Sequence, residues 1–244
     1  MIKIKVLGCR GLYPENDEAT SGYLISDGCF SLVCDMGSGV FAKLKKQIEP
    51  EKVSAIFISH LHFDHIADLG VYNYYLESLA RSGRFLGKIK LIIKSCESSV
   101  YQSIAALPYF EIINFEEQTT LKISDLAFKF YKMNHPSEDY AVTVCKEKIT
   151  IGYLGDSNVN ENIDEVFKNC NAVICHAPLL MNDWNEKKPH LAAKIALERA
   201  KKWGNVCILS HFLPQSDILA LRKECDEVGA NYYFAEQGGE YIIG

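Results

Sequence analysis

Short apolar segments alternate with polar stretches that contain glycine or proline, and this pattern predicts strands and helices in turn along the whole chain. Residues 2–8 alternate between apolar and polar side chains, as a strand with one buried face does. The apolar segments on either side of Asp27-Gly28 predict a hairpin, because that dipeptide favours a tight turn. Further strands are predicted over residues 53–59, 88–94, 125–135, 140–147, 149–156, 171–177 and 205–212, with two short strands at the end of the chain.

Helices are predicted where apolar residues recur every three or four positions. In residues 190–204, Leu191, Ile195 and Ala196 share one face, and Gly204 provides a C-terminal stop. The other predicted helices cover residues 40–48, 69–82, 96–106, 162–170 and 216–229. Because no low-complexity linker interrupts this alternation, we predict a single α/β domain over residues 1–244.

The composition is typical of a globular protein, with 48% hydrophobic and 23% charged residues. A net charge of -5 weighs against a general nucleic-acid-binding protein, which needs an excess of Lys and Arg on one face. No apolar run reaches the roughly 18 residues of a membrane-spanning helix, and no secretory signal is expected. The nine cysteines form no CxxC pair, which predicts reduced, buried thiols in a cytoplasmic protein.

Several predicted strands end in a side chain that can bind a metal ion. These strand-end residues are Asp35, His60, Asp156, His176 and His211. In layered α/β folds, ligands gather outside the carboxyl ends of the strands. The pattern therefore predicts that these five side chains line one crevice.

The segment SHLHFDHIADL, residues 59–69, holds three of the chain's seven histidines in the pattern HxHxDH. Residues two apart in an extended segment point the same way, so we expect His60 and His62 to bind one ion together. Asp64 and His65 are expected to follow in a turn, from which they would bind a second ion. Imidazole and carboxylate ligands favour zinc, with manganese or iron as alternatives.

With this motif and the order of the residues that follow it, the chain resembles the metallo-β-lactamase superfamily over nearly its full length. The matching residues are Asp35 in LVCDMGSG, the four HxHxDH residues, His135 in YKMNHPSEDYA, Asp156 in YLGDSN and His211 in ILSHFLP. The resemblance implies a four-layer αβ/βα sandwich with a dinuclear metal site. It also implies a ligand set in which His60, His62 and His135 bind the first ion, Asp64, His65 and His211 bind the second, and Asp156 bridges the two.

The residue at the bridging position indicates a branch of this superfamily. Asp156 stands where zinc-dependent β-lactamases usually have a cysteine, and a carboxylate spans two ions about 3.5–4 Å apart in two-metal phosphoester chemistry. The segments YPENDEATSGYLI, GDS and HFLP resemble the ribonuclease Z and phosphodiesterase branch. The resemblance therefore implies a phosphodiesterase in which a hydroxide held between two metal ions attacks phosphorus.

Two departures from that branch weigh against the processing of tRNA 3′ ends. Ribonuclease Z carries an inserted arm that recruits tRNA between the third histidine and the bridging aspartate, whereas here only residues 136–155 separate His135 from Asp156. The family also has a glutamate where His176 stands and a threonine where Ala192 stands. RNA is therefore a less favoured substrate than a small phosphodiester.

Two residues are assigned to proton transfer. Asp64 is predicted to shuttle a proton as well as to bind metal. His190, at the start of the predicted helix over residues 190–204, is predicted to contact the phosphate or to protonate the leaving oxygen, because the amides at a helix N-terminus favour an anion.

Four further residues are assigned roles around the metals. Asp35 is predicted to brace a ligand imidazole, and His176 is either an additional ligand or a residue of the crevice. Ser137 and Tyr140 are candidates for substrate contacts, although a turn residue and a core aromatic are equally good interpretations.

Three classes of function remain open on the sequence. The first is a two-metal phosphodiesterase, the second a dinuclear hydrolase of a thioester, lactone or other ester, and the third a non-catalytic scaffold that binds metal for stability. The complete set of donors favours an enzyme over the scaffold. Tyr72, Tyr74 and Tyr75 fit either a homodimer interface or the core, and we favour the core.

Overall fold

The structure is a computed structural model that describes residues 1–244, and it contains two seven-stranded sheets with associated helices. The chain divides into two compact units. The N-terminal unit comprises residues 2–115 and 236–242, and the C-terminal unit comprises residues 116–235 with residue 1 and residues 243–244. The mixed α/β class is confirmed, whereas the folding of residues 1–244 as a single domain stays a prediction.

One mixed sheet, with the strand order β14-β1-β2-β3-β4-β5-β6, forms the N-terminal unit. Its strands are β1 (Ile2–Gly8), β2 (Gly22–Ser26), β3 (Ser31–Cys34), β4 (Ala55–Phe57), β5 (Ile89–Ile92), β6 (Phe110–Ile113) and β14 (Glu240–Ile243). The predicted hairpin at Asp27-Gly28 is confirmed, because β2 and β3 pair in antiparallel register. Strands β3 to β6 run parallel, so the carboxyl ends of β3 and β4 lie at the same edge of the sheet.

The helices of the N-terminal unit are α1 (Val40–Leu44), α2 (Phe63–Ile66), α3 (Leu69–Arg81) and α4 (Ser99–Ala105). Buried side chains of α1 and α3, among them Leu44 and Leu76, share one apolar core with Ile56 of β4 and Leu91 of β5. Helix α1 is shorter than predicted, because the N–H groups of residues 47 and 48 both bond to the Leu44 carbonyl in turns.

The tyrosines of α3 are divided between the core and the surface. Tyr72 is buried, and its hydroxyl donates to the Pro50 carbonyl oxygen at 2.5 Å. The hydroxyl of Tyr75 donates to a carboxylate oxygen of Glu51 at 2.6 Å, whereas Tyr74 is exposed. The core interpretation is therefore confirmed for Tyr72, and a homodimer interface on α3 stays a prediction.

The C-terminal unit has a second mixed sheet, in the order β13-β12-β11-β10-β9-β8-β7. Its strands are β7 (Thr120–Ile123), β8 (Leu126–Lys132), β9 (Tyr140–Lys146), β10 (Ile149–Tyr153), β11 (Ala172–His176), β12 (Val206–Ser210) and β13 (Asn231–Phe234). Strands β10 to β13 run parallel. The carboxyl ends of β10, β11 and β12 are therefore neighbours, which places three of the predicted strand-end residues at one edge.

The helices of the C-terminal unit are α5 (Glu161–Asn169), α6 (Ala193–Trp203) and α7 (Ile218–Val228). Helix α6 begins three residues later than predicted. Its preceding segment is extended, because the Leu179 N–H donates to the Leu191 carbonyl and the Ala193 N–H donates to the Leu179 carbonyl. The predicted position of His190 at a helix N-terminus is therefore wrong, since His190 precedes this extended segment.

Strands β6 and β7 were not predicted from the sequence. Each is the last strand of its sheet, so it pairs on one side only and leaves part of its side chains exposed. A strand at the edge of a sheet does not need a long run of apolar residues. The strands, of four residues each, are too short to be recognised from pattern.

The structure also shows the state of the cysteines and the apolar character of the helices. All nine cysteines are free, as predicted, but the predicted burial is wrong for three of them: Cys29 is exposed, and Cys96 and Cys145 are partly exposed. Burial raises the pKa of the Cys34 thiol well above its usual range. None of the helices combines the length and the apolar composition needed to cross a membrane.

Candidate metal centre

The HxHxDH segment leaves β4 as extended backbone and then forms the short helix α2. His60 and His62 lie before the helix, with Nε2 of His60 at 2.9 Å from Nδ1 of His62. The two imidazoles are therefore neighbours, as the spacing of two residues predicted. His65 lies on α2 rather than in a turn, and the centroid of its ring is 4.1 Å from that of His60.

The Asp64 carboxylate lies beside these imidazoles and is held from outside the motif. Its Oδ2 atom is 3.5 Å from Nε2 of His65 and accepts a hydrogen bond from the Leu12 N–H at 3.0 Å. Leu12 has a left-handed backbone with φ of 68°, which is uncommon outside glycine. The loop after β1 therefore fixes Asp64 next to His65.

Asp35, at the end of β3, is fully buried beneath the HxHxDH segment. Nδ1 of His65 donates to Oδ2 of Asp35 at 2.5 Å, and the backbone N–H and hydroxyl of Ser59 both donate to the same carboxylate at 2.8 Å. With its proton on Nδ1, His65 presents Nε2 toward the Asp64 side. Asp35 thus braces an imidazole as predicted, whereas Ser59 was not predicted.

In the C-terminal unit, four histidines surround the carboxylate of Asp156, three residues past the end of β10. Nδ1 of His176 donates to Oδ1 at 2.7 Å, and Nδ1 of His190 is 3.8 Å from the same oxygen. Nε2 of His211 is 3.6 Å from Oδ2, and Nε2 of His135 is 4.0 Å from it. Asp156 is only 2% exposed, so this cluster lies within the fold rather than on the surface.

Two hydrogen bonds to groups outside this cluster orient its side chains. Nδ1 of His135 donates to the Pro189 carbonyl oxygen at 3.1 Å, which turns Nε2 of His135 toward Asp156. The backbone N–H of Asp156 donates to Oδ2 of Asp139 at 3.1 Å, and Asp139 is fully buried. Asp139 was not predicted as a site residue; its only sequence signal is that it lies four residues after His135.

His176, which stands where the family has glutamate, is the last residue of β11 and is buried. Its ring stacks on that of His211, with centroids 4.6 Å apart and an interplanar angle of 19°. Its Nδ1 is engaged with Asp156. This geometry puts His176 in the donor cluster rather than at a distant part of the crevice, and it makes His176 a hydrogen-bond partner of the Asp156 carboxylate.

His190 lies in the same cluster even though it is not part of a helix. Its ring centroid is 5.7 Å from that of His135 and 5.0 Å from that of His211. The bridge between the Leu179 and Ala192 segments holds the chain just after His190. Sheet-like pairing, instead of a helix terminus, therefore positions this imidazole.

The two candidate substrate contacts lie close to His135 in the sequence. Ser137 is partly exposed in a bend, whereas Tyr140 is buried at the start of β9. The Tyr140 hydroxyl donates to a carboxylate oxygen of Glu138 at 2.8 Å. A role for either residue in binding substrate stays a prediction.

The donor types and their spacing fit divalent transition metals. In the N-terminal unit, donor atoms of His60 and His62 lie within 4.8 Å of each other; in the C-terminal unit, the same holds for Asp156, His176 and His211. Clustered imidazole nitrogens and carboxylate oxygens are ligands of zinc, manganese and iron. Each unit therefore carries donors suited to a metal ion.

Known proteins resemble this chain over the region that contains the donor residues. A family model described as a beta-lactamase superfamily domain matches residues 31–212, a span that contains both groups of donors. The chain is 29% identical over 232 residues to the probable metallo-hydrolase YhfI of Bacillus subtilis, and the match covers 93% of each chain.

Solved structures agree with the sequence matches. The crystal structure of the metallo-beta-lactamase fold protein YhfI from Bacillus subtilis has a TM-score of 0.93 at 26% identity, covering 100% of this chain and 99% of that one. The short form of human tRNase Z has a TM-score of 0.70 at 18% identity, with 99% of each chain covered. A diphosphatase of the PhnP family has a TM-score of 0.77 at 15% identity, covering 100% and 98%. The fold predicted from the sequence is confirmed.

Proposed function

This chain belongs to the metallo-β-lactamase superfamily, and from that membership we propose that it hydrolyses phosphodiesters at a centre of two divalent metal ions. His60, His62 and His135 would hold one ion, Asp64, His65 and His211 the other, and Asp156 would bridge them. Zinc is the favoured metal, with manganese or iron as alternatives.

The buried carboxylate of Asp156, with imidazoles near both of its oxygens, carries this proposal. Oδ1 has His176 at 2.7 Å, and Oδ2 has His211 at 3.6 Å. A carboxylate in such surroundings would hold two ions side by side, and two ions so placed would clamp the attacking and leaving oxygens of an in-line displacement.

The distribution of histidine supports the same conclusion. The chain has seven histidines in 244 residues. Three of them lie in the HxHxDH segment, and the other four surround Asp156. Histidines that served only as surface or core residues would be spread over other elements, so their concentration indicates ligation.

Bound metal ions would supply Lewis acidity and lower the pKa of a water molecule to about 7. The side chains would supply the proton transfers. Asp64, held beside His65 by the Leu12 N–H, would accept a proton from the attacking water. His190, 3.8 Å from the Asp156 carboxylate, would donate a proton to the leaving oxygen.

The segment between His135 and Asp156 supports a small phosphodiester rather than tRNA as the substrate. Strands β9 and β10 occupy most of residues 136–155 and pair directly with each other in an antiparallel hairpin. This leaves no inserted arm of the kind that recruits tRNA in ribonuclease Z.

The proposal is tested by assaying the metal-loaded protein on bis(p-nitrophenyl) phosphate with zinc or manganese. We expect turnover that falls about a hundredfold or more in Asp156→Ala, because the charge stabilisation by the metals is worth several kcal/mol. Asp125→Ala, which removes an exposed carboxylate paired with Lys146, is the matched control and should keep full activity. Turnover of thioesters or lactones without phosphodiester turnover would contradict the proposal and favour another hydrolase.

A further inference from the structure

A groove of about 350 Å³ lies in the N-terminal unit beside the helix that carries Asp64 and His65. Its walls include Phe63 and Ile66 of α2, Leu69 at the start of α3, and Val100 and Ile104 of α4 together with Leu107. The volume is within the usual range of small-molecule sites. We call this feature the Phe63 groove.

Phe63 joins the groove to the proposed metal centre. It lies between His62 and Asp64, and consecutive Cα atoms are only about 3.8 Å apart, so the groove begins within one residue of two proposed ligands. Its side chain is 72% exposed, which is unusual for a phenylalanine. An exposed aromatic ring next to proposed metal ligands provides a face on which a ring of the substrate can pack.

The residues that line the groove disfavour a charged group of a ligand. None of its lining residues is charged, and the polar side chains among them are those of Ser99 and Ser103. The Ser103 hydroxyl donates to the Ser99 carbonyl oxygen at 2.9 Å, so its proton is already used. An ionic group would lose its hydration here without gaining a partner, whereas an apolar ring would lose nothing.

We propose that the Phe63 groove binds an uncharged ring substituent of the substrate while the phosphate lies at the metal centre. This inference rests on the proposed function and adds the class of substrate, namely phosphodiesters that carry an aromatic or other flat apolar ring. Phe63 would be a specificity-determining residue, since it contacts that ring rather than the phosphate.

Two substitutions, one on α3 and one on α4, add bulk to the lining of the groove without replacing a proposed ligand. A Cβ atom added at Gly70 meets no heavy atom within 4 Å, so Gly70→Leu places its side chain in open space. Ser103 is exposed on α4, so Ser103→Leu is also tolerated. Gln102→Leu is the matched control, because Gln102 is the exposed neighbour of Ser103 on the same helix and does not line the groove.

The first measurement is independent of catalysis. The full chain, after its metal has been removed with a chelator, is titrated with 1-naphthol, and binding is followed by methyl NMR. We expect saturable shifts in the methyl signals of Ile66 and Ile104, which disappear in Gly70→Leu and Ser103→Leu and persist in Gln102→Leu. The absence of saturable shifts in the unaltered chain, or their persistence in both filled variants, would overturn the inference.

The second measurement compares diphenyl phosphate with dimethyl phosphate as inhibitors of bis(p-nitrophenyl) phosphate turnover by the metal-loaded enzyme. We expect diphenyl phosphate to inhibit about tenfold more strongly or better, the scale of an apolar group in an apolar pocket. The filled variants should lose this difference. Equal inhibition by both diesters in an active enzyme would overturn the role of the groove in binding a ring of the substrate and leave the proposed function intact. Naphthol binding without any phosphodiester turnover would support the groove as a ring site and overturn the proposed function.

Discussion

At the residue scale, one histidine in each donor group is oriented by a hydrogen bond at the nitrogen opposite to the proposed metal side. Asp35 takes the Nδ1 proton of His65, and the Pro189 carbonyl takes that of His135. Partners of this kind fix the tautomer and the ring orientation of a metal-binding imidazole. His176 differs, because its Nδ1 is directed at the carboxylate of Asp156 itself.

This contact predicts different effects for two substitutions of His176. His176→Asn keeps an N–H group near the position of Nδ1, so we expect it to retain metal affinity close to that of the unaltered chain. His176→Ala removes the donor to Asp156, and we expect metal affinity to fall about 10–100-fold, as for other residues that support ligands. Competition with a zinc chelator measures both values. An equally large loss in both variants would contradict this role and show His176 to be a ligand in its own right.

The site residues that the sequence revealed are those with a local signature or a place in the family order. The HxHxDH pattern identifies His60, His62, Asp64 and His65 within six positions. Ser59 and Asp139 were missed because their roles come from contacts made across the fold. Ser59 meets Asp35 from 24 residues away, and Asp139 meets Asp156 from 17 residues away.

At the element scale, the loop after β3 holds helix α2 in place. The Met36 N–H donates to the His65 carbonyl at 2.8 Å, and the Asp68 N–H donates to the Met36 carbonyl at 2.9 Å. Gly37 approaches α2 so closely that a Cβ atom there would lie 2.0 Å from the Asp64 carbonyl oxygen. The glycine is therefore required by the packing of this loop against the helix that carries Asp64 and His65.

This close approach predicts that Gly37→Ala displaces α2. We expect a loss of about 1–3 kcal/mol in the free energy of unfolding, as for other overpacked sites, together with weaker metal binding. Gly70→Ala is the control, because its Cβ meets no atom within 4 Å and alanine favours the helix by about 0.5–1 kcal/mol. Urea unfolding of both variants measures the difference. A Gly37→Ala chain as stable as Gly70→Ala would contradict the proposed tight contact.

The elements themselves were predictable where burial imposes a pattern. The central strands, such as β11 with five buried residues in succession, follow from their apolar runs. The start of α6 was not predictable from periodicity, because the residues before it pair with the Leu179 segment instead of continuing the helix. Pairing partners distant in sequence decided that boundary, and local propensity does not report them.

At the scale of the whole molecule, each unit contributes one part of the proposed ligand set. The N-terminal unit supplies His60, His62, Asp64 and His65, and the C-terminal unit supplies His135, Asp156 and His211. The order of these residues along the chain allowed the superfamily to be recognised from sequence. The substrate was not, because it depends on surfaces such as the Phe63 groove that carry no motif.

The proposed ligand set predicts that a bound metal ion stabilises the folded chain through residues such as His62 and His211. We expect a chelator to lower the melting temperature, because a metal that binds only the folded chain adds to its stability by mass action. His62→Ala and His211→Ala should each reduce the shift that added zinc produces. A full zinc-dependent shift in either variant would contradict the proposed ligand set.

Anomalous diffraction from crystals grown with zinc is the sharpest test of the proposal that Asp156 bridges two metal ions. We expect two anomalous peaks per chain, about 3.5–4 Å apart, one near each carboxylate oxygen of Asp156. A single peak, or two peaks that lie away from the Asp156 carboxylate, would contradict it.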